Sequence, residues 1–153
     1  RHARYGRGAG RVMLPLRYVG YWRVAGFLLL AVALLASLMP AFWGWPDRQE
    51  FVSWFLQVDK WLHGIAFAAL AVWFSGQYHR RSYWRIALGL LAFGVLIEAC
   101  QGLVRYRSSE WLDVAANAVG ITVGLAVALA GLGGWSLWLE NRLVRSKATT
   151  SGD

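Results

Sequence analysis

Glu98-Ala-Cys-Gln101-Gly-Leu-Val-Arg105-Tyr-Arg107-Ser-Ser-Glu110-Trp-Leu-Asp113-Val-Ala-Ala-Asn117 joins two apolar segments, Ile86 to Ile97 and Ala118 to Trp135. The reading of this turn decides the fold. Glu98, Gln101, Arg105, Arg107, Asp113 and Asn117 lie at or near the depth of the apolar runs on either side. A charge at the centre of a bilayer costs roughly 2.5–3.5 kcal/mol on insertion scales, so such residues face a bundle interior or a wet cavity. So many in one turn between two spans mark a site, although the turn alone names no reaction.

Working outward, the whole chain has the composition of a membrane protein. It has 153 residues, 58% of them hydrophobic and 16% charged, and a mean hydropathy of +0.40. A soluble domain carries nearer a quarter charged residues. The apolar residues come in long runs, which gives an all-α membrane fold in a single domain over 1–153. The expected architecture is a four-transmembrane-helix bundle with spans at about 22–39, 61–77, 83–104 and 112–135. Pro40 is expected to end the first span. A short interfacial helix is expected at about 47–57. Asp47 with Glu50 three residues later suits its start, and Phe51, Trp54, Phe55 and Val58 share one face. Gly131, Gly133 and Gly134 are expected to end the last helix, and the polar tail at 140–153 is expected to fray.

Charge placement sets the expected orientation. The arm through Arg23 carries six Lys or Arg, the 78–85 turn three and the tail three, against Arg48, Lys60, Arg105 and Arg107 on the other side. The positive-inside rule then puts both termini in the cytoplasm. The net charge of +8 does not indicate nucleic acid, because the basic residues flank spans instead of forming one soluble face. The single cysteine, Cys100, excludes an intrachain disulfide. Residues 1–12 are rich in Arg and Gly, too polar for the apolar part of a signal peptide. They read as a disordered arm, an appended segment or a misplaced start, with Met13 as an alternative start.

Three pairs of polar residues converge on one end of the bundle. Asp59 and His63 share a face at the start of the second span, with Lys60 beside them. Glu98 and Gln101 share a face at the end of the third, and Asp113 and Asn117 at the start of the fourth. Arg105 and Arg107 hang in the turn. Gly120 and Gly124 continue the Asn117 face as a small-xxx-small packing stripe.

Four readings of this cluster stay open. It can fix helix register as a buried network, or recognise a small molecule or lipid headgroup, since arginine binds phosphate bidentately. It can be a His-plus-carboxylate metal site or acid–base set, or it can belong to an accessory subunit of a larger complex. The catalytic reading is the least favoured. There is no H-E-x-x-H pattern, activated Ser or Cys, or phosphate loop, so no metal or cofactor is expected.

Asp59-Lys60-x-x-His63 with Phe67, Glu98-x-x-Gln101, Arg107, and Asp113-x-x-x-Asn117-x-x-Gly120-x-x-x-Gly124 together resemble the VanZ-like family. That family comprises small bacterial inner-membrane proteins named after an accessory protein of glycopeptide resistance that protects against teicoplanin. The resemblance covers residues 59–125 and implies four or five spans and an inner-membrane location. It suggests an outward-facing site for a lipid-linked or lipoglycopeptide-like ligand. Membrane lipids and other membrane-protein subunits are the partners within reach of such a chain.

Overall fold

The computed structural model describes the backbone of residues 12–42, 48–103 and 111–150, and the side chains of these residues apart from 39–59 and 147–150. Five α-helices follow in order: α1 (Val19–Phe42), α2 (Arg48–Ser75), α3 (Tyr83–Leu103), α4 (Trp111–Val127) and α5 (Trp135–Thr150). A 3-10 turn at Arg80–Ser82 leads into α3, and a wide turn at Ala128–Leu132 prolongs α4.

Among the described residues, three stretches are long and apolar enough to cross a membrane: Val19–Leu38, Arg80–Leu103 and Trp111–Leu132. The 21 residues of α3 rise about 32 Å, close to the thickness of a hydrocarbon core. α1 runs through Pro40 to Phe42. A proline so near a helix end removes only the bond to the Ala36 carbonyl, and the chain tolerates it. The expected interfacial helix at 47–57 and separate span at 61–77 are corrected to one continuous α2 of 28 residues. Asp59 and Lys60 suggested a boundary, but charge alone does not break a helix. There is no glycine or proline between Arg48 and His63 to do so.

The centre of the molecule is the contact between α2 and α4. Cβ atoms built on Gly120 and Gly124 would collide with the backbone of Gly64 and Ala68. His63 meets Asn117 just before those contacts, so α2 and α4 run parallel. α3 runs antiparallel to α4: Gly94 lies against Asn117, and the Tyr83 ring lies against Gly133. Phe67, Leu70, Ile86, Leu90, Ile97 and Ile121 fill the space between these three helices.

α1 packs at the edge. Phe27, Leu28, Val32 and Leu35 are exposed along its flank, and Ile65, Leu88, Val95, Val119 and Val123 continue the apolar surface around the bundle. A surface of this size is stable only in contact with hydrocarbon or another apolar partner. Exposed aromatic residues bound it at both ends, Trp61 and Trp111 at one and Tyr18, Tyr21, Trp84 and Trp138 at the other. Such girdles belong at the two membrane–water interfaces.

The end that carries the termini is tightly closed. Leu14 N donates to the Gln77 carbonyl at 2.9 Å and His79 N to the Val12 carbonyl at 3.1 Å, forming an antiparallel bridge of Met13 with Tyr78. Gly134 N donates to the Ser75 carbonyl at 3.2 Å. This turn needs the positive φ of 78° that Gly134 supplies at little cost. The tail expected to fray is instead α5. Ser136 and Glu140, one helical turn apart, are both buried against the bundle.

Candidate functional site: a buried polar cluster between three helices

The cluster is built on the α2–α4 contact. His63 and Asn117 are both buried, and His63 Nδ1 lies 3.2 Å from Asn117 Oδ1. An amide oxygen can only accept, so in this contact Nδ1 is the donor. Glycine at position 94 leaves room for the Asn117 amide, because a Cβ there would lie 2.8 Å from Asn117 Nδ2.

Glu98 and Asp113 lie four residues beyond this Gly94–Asn117 contact on two antiparallel helices. Each is therefore about 6 Å nearer the same end of the bundle, and the two carboxylates share one level. Both are buried. Asp113 also sits in the first turn of α4, where the positive end of the helix dipole partly compensates its charge.

Gln101, one turn further along α3, donates from Nε2 to the Ser37 carbonyl of α1 at 2.9 Å. That contact was missed in the sequence.

Lys60 is half-buried on α2, and both it and Glu98 are engaged in interactions. α2 places the backbone of Asp59 four residues before His63, level with Asp113; its side chain lies outside the described residues. Arg105 and Arg107 likewise lie outside them.

Among the described residues, Gln101 Oε1, Asp113 Oδ1 and Asn117 Nδ2 of the cluster have no hydrogen-bond partner. Their residues are 2%, 4% and 0% exposed. Leaving a buried polar group unpaired costs about 1–3 kcal/mol. Two apolar grooves lie elsewhere. One lies between α2 and α4 around Ala68, Val72 and Val127, the other between α1, α2 and α3 around Leu30, Phe74 and Gly89.

The match to known families falls on these same helices. A family model described as VanZ/LLP1 matches residues 22–132, from the first turn of α1 to the end of the wide turn after α4. The chain belongs to the VanZ/LLP1 family. The residues that first suggested the kinship, from Asp59 to Gly124, all fall inside the matched segment. No curated protein and no solved structure matches the chain. In this VanZ/LLP1 protein the matched segment stops before α5, so the closure of the opposite end lies largely outside it.

That closure includes a residue the sequence reading passed over. Glu140 is buried on α5. It accepts from Arg17 N at 2.7 Å, Tyr18 N at 3.1 Å and Trp22 Nε1 at 2.7 Å. It thus caps the start of α1 from the far end of the chain, supplying acceptors for backbone groups that a helix start leaves free. Trp22, Trp73 and Trp135 close around it with ring centroids 5.3–5.5 Å apart. Burial pushes the Glu140 carboxyl up. The hydrogen bonds from Arg17, Trp22 and Tyr18 and the Arg17 charge outweigh it and hold the group below the ordinary carboxylate range. The signal in the sequence was the spacing Ser136, Glu140, Val144 on one helical face.

Proposed function

We propose that this VanZ/LLP1 protein crosses the membrane four times, with α2 as the fourth span, and keeps both termini in the cytoplasm. On this reading the polar cluster opens to the outer side of a bacterial inner membrane. It recognises an amphipathic ligand, lipid-linked or lipoglycopeptide-like, with Arg107 and His63 toward a charged headgroup. One observation carries the reading: among the described residues, Gln101 Oε1, Asp113 Oδ1 and Asn117 Nδ2 are buried and unpaired. A network kept only for helix register pairs its own members, because each orphan costs stability and brings nothing in return.

A second reading, an accessory subunit of a larger membrane complex, draws support from α1. Only 6% of its apolar window is buried, so it offers a long flank to another helix.

The pairing of Arg17 and Tyr18 with Glu140 supports an even number of crossings, because it holds the start of α1 beside α5. Orientation is tested by cysteine labelling in a Cys100→Ser background. A cysteine at position 49 is expected to react with an impermeant thiol reagent in intact cells, and one at position 81 is not. The reverse pattern moves the cluster to the cytoplasmic side and ends the outward-site reading.

The site itself is tested by Arg107→Ala. Expressed in a susceptible host, the wild type is expected to raise tolerance to a lipoglycopeptide, and the variant to fall back to the level of the empty vector. Gel filtration in detergent must first establish that the variant is intact. Survival of the phenotype at normal protein levels makes the cluster scaffolding and favours the accessory subunit.

A further inference from the structure

We infer that the groove between α1, α2 and α3 holds an anionic phospholipid, with one acyl chain along the groove and the phosphate at Arg85. The site faces the end of the bundle that carries the termini, opposite the polar cluster, and does not depend on the ligand proposed there.

Shape and charge converge on this groove. It has a volume of about 250 Å³, with Leu30 of α1, Phe74 of α2 and Phe93 of α3 among its apolar walls. Gly89 lines it and is exposed, and a Cβ there would meet nothing within 4 Å, so the groove is open along that side. Arg85 and Phe93 both line it and lie eight residues apart on α3, about 12 Å of helix. A narrow apolar trough open to hydrocarbon suits one flexible chain. The charge sits at one end. Arg85 is exposed, and its guanidinium carbon lies 5.2 Å from the centroid of the exposed Trp84 ring, at the level of the aromatic girdle. Arg23 stands two helical turns before Leu30 on the same face of α1. Its Nη2 donates to Met13 Sδ at 3.5 Å, and Met13 is bridged to Tyr78, which also lines the groove. Arg23 thus adds positive charge on the α1 side of the mouth. Among the described residues neither arginine has a carboxylate partner, and Glu140 at this end is taken up by the start of α1. Guanidinium binds phosphate through paired N–H donors, and basic pockets between spanning helices take anionic headgroups. A headgroup with net negative charge compensates the arginines, whereas a choline headgroup brings its own cation and leaves the total unchanged.

The test is a thermal-unfolding titration of the full chain in an uncharged detergent with three probes: phosphatidylglycerol, phosphatidylcholine and glycerol 3-phosphate. The wild type is expected to respond to phosphatidylglycerol at a concentration at least tenfold lower than to phosphatidylcholine. It is expected not to respond to glycerol 3-phosphate, which has the charge without the chain. Arg85→Gln is expected to weaken phosphatidylglycerol at least tenfold and to remove its advantage over phosphatidylcholine. Gly89→Leu, which fills the trough and leaves both arginines, is expected to weaken phosphatidylglycerol at least tenfold. Equal responses of the wild type to the two lipids overturn the inference, as does a response to glycerol 3-phosphate equal to that for phosphatidylglycerol. A lipid preference that survives Arg85→Gln overturns it, and so does a phosphatidylglycerol response that survives Gly89→Leu in folded protein. In that last case, loss of a dimer on gel filtration of Gly89→Leu identifies a second copy of the chain as the occupant. If Gly89→Leu does not accumulate, Arg85→Gln, a change on an exposed side chain, decides.

Discussion

Gly120→Ala is expected to reduce the folded, monodisperse yield at least tenfold. The new methyl group would overlap the carbonyl and Cα of Gly64. Both sides of that contact are backbone, so no side-chain rotation relieves it, and α2 and α4 must separate. Overpacking of a tight core costs about 1–3 kcal/mol when side chains can adjust. Here they cannot, and the figure is expected to reach the top of that range or exceed it. Separation also stretches the His63–Asn117 contact just beyond Gly120 and loosens Gly124 from Ala68. Gly124→Leu, one turn further, is expected to behave in the same way. Gly89→Ala is the control. Nothing lies within 4 Å of its added Cβ, and alanine is the better helix former, so yield should hold or rise. Wild-type yield for Gly120→Ala would refute the α2–α4 packing described above.

The second large effect is expected at Glu140. Alanine there leaves Arg17 N, Tyr18 N and the Trp22 indole without their acceptor. An unmet donor costs about 1–3 kcal/mol, so α5 should detach from α1. The readouts are faster proteolysis between positions 131 and 134 and a change in tryptophan fluorescence from Trp22, Trp73 and Trp135. The wild type should show the same change in acid. The folded-state pKa of Glu140 is lowered from 4.5, so the stabilisation is fully present above about 4.5 and is lost as pH falls through the lower folded value. Glu140→Gln should abolish this acid transition, because the amide does not titrate. An unchanged acid transition in that variant would assign the transition to another group.

The apolar stretches in α1, α3 and α4 were legible because hydropathy is local. The third was expected at 83–104 and is Tyr83–Leu103, and the first extends only a few residues beyond 22–39. The boundary inside α2 was misread because Asp59 and Lys60 looked like a water-facing step. The helical ladder carries on through them. The polar pairs were legible because i, i+3 and i, i+4 spacings fix a common face. What spacing could not give was the company each pair keeps. Gln101 reaches α1 at Ser37, and Glu140 reaches the chain's first helix across 123 positions. No local pattern encodes such contacts, and a polar segment such as 140–153 reads as solvated until its one buried carboxylate finds its donors.

The Glu140 cap also has a meaning in time. The amides of Arg17 and Tyr18 leave the ribosome long before the residue that covers them. At synthesis rates of about 5–20 residues per second, the gap of 123 positions lasts roughly ten seconds. During that interval α1 is in place with its entry uncapped and Trp22 lacks Trp135. Every chain that stops short of Glu140, however complete its membrane helices, displays bare amides and an open aromatic pair at its starting end. α5 thereby distinguishes chains made through Glu140 from shorter ones by a physical mark at that surface.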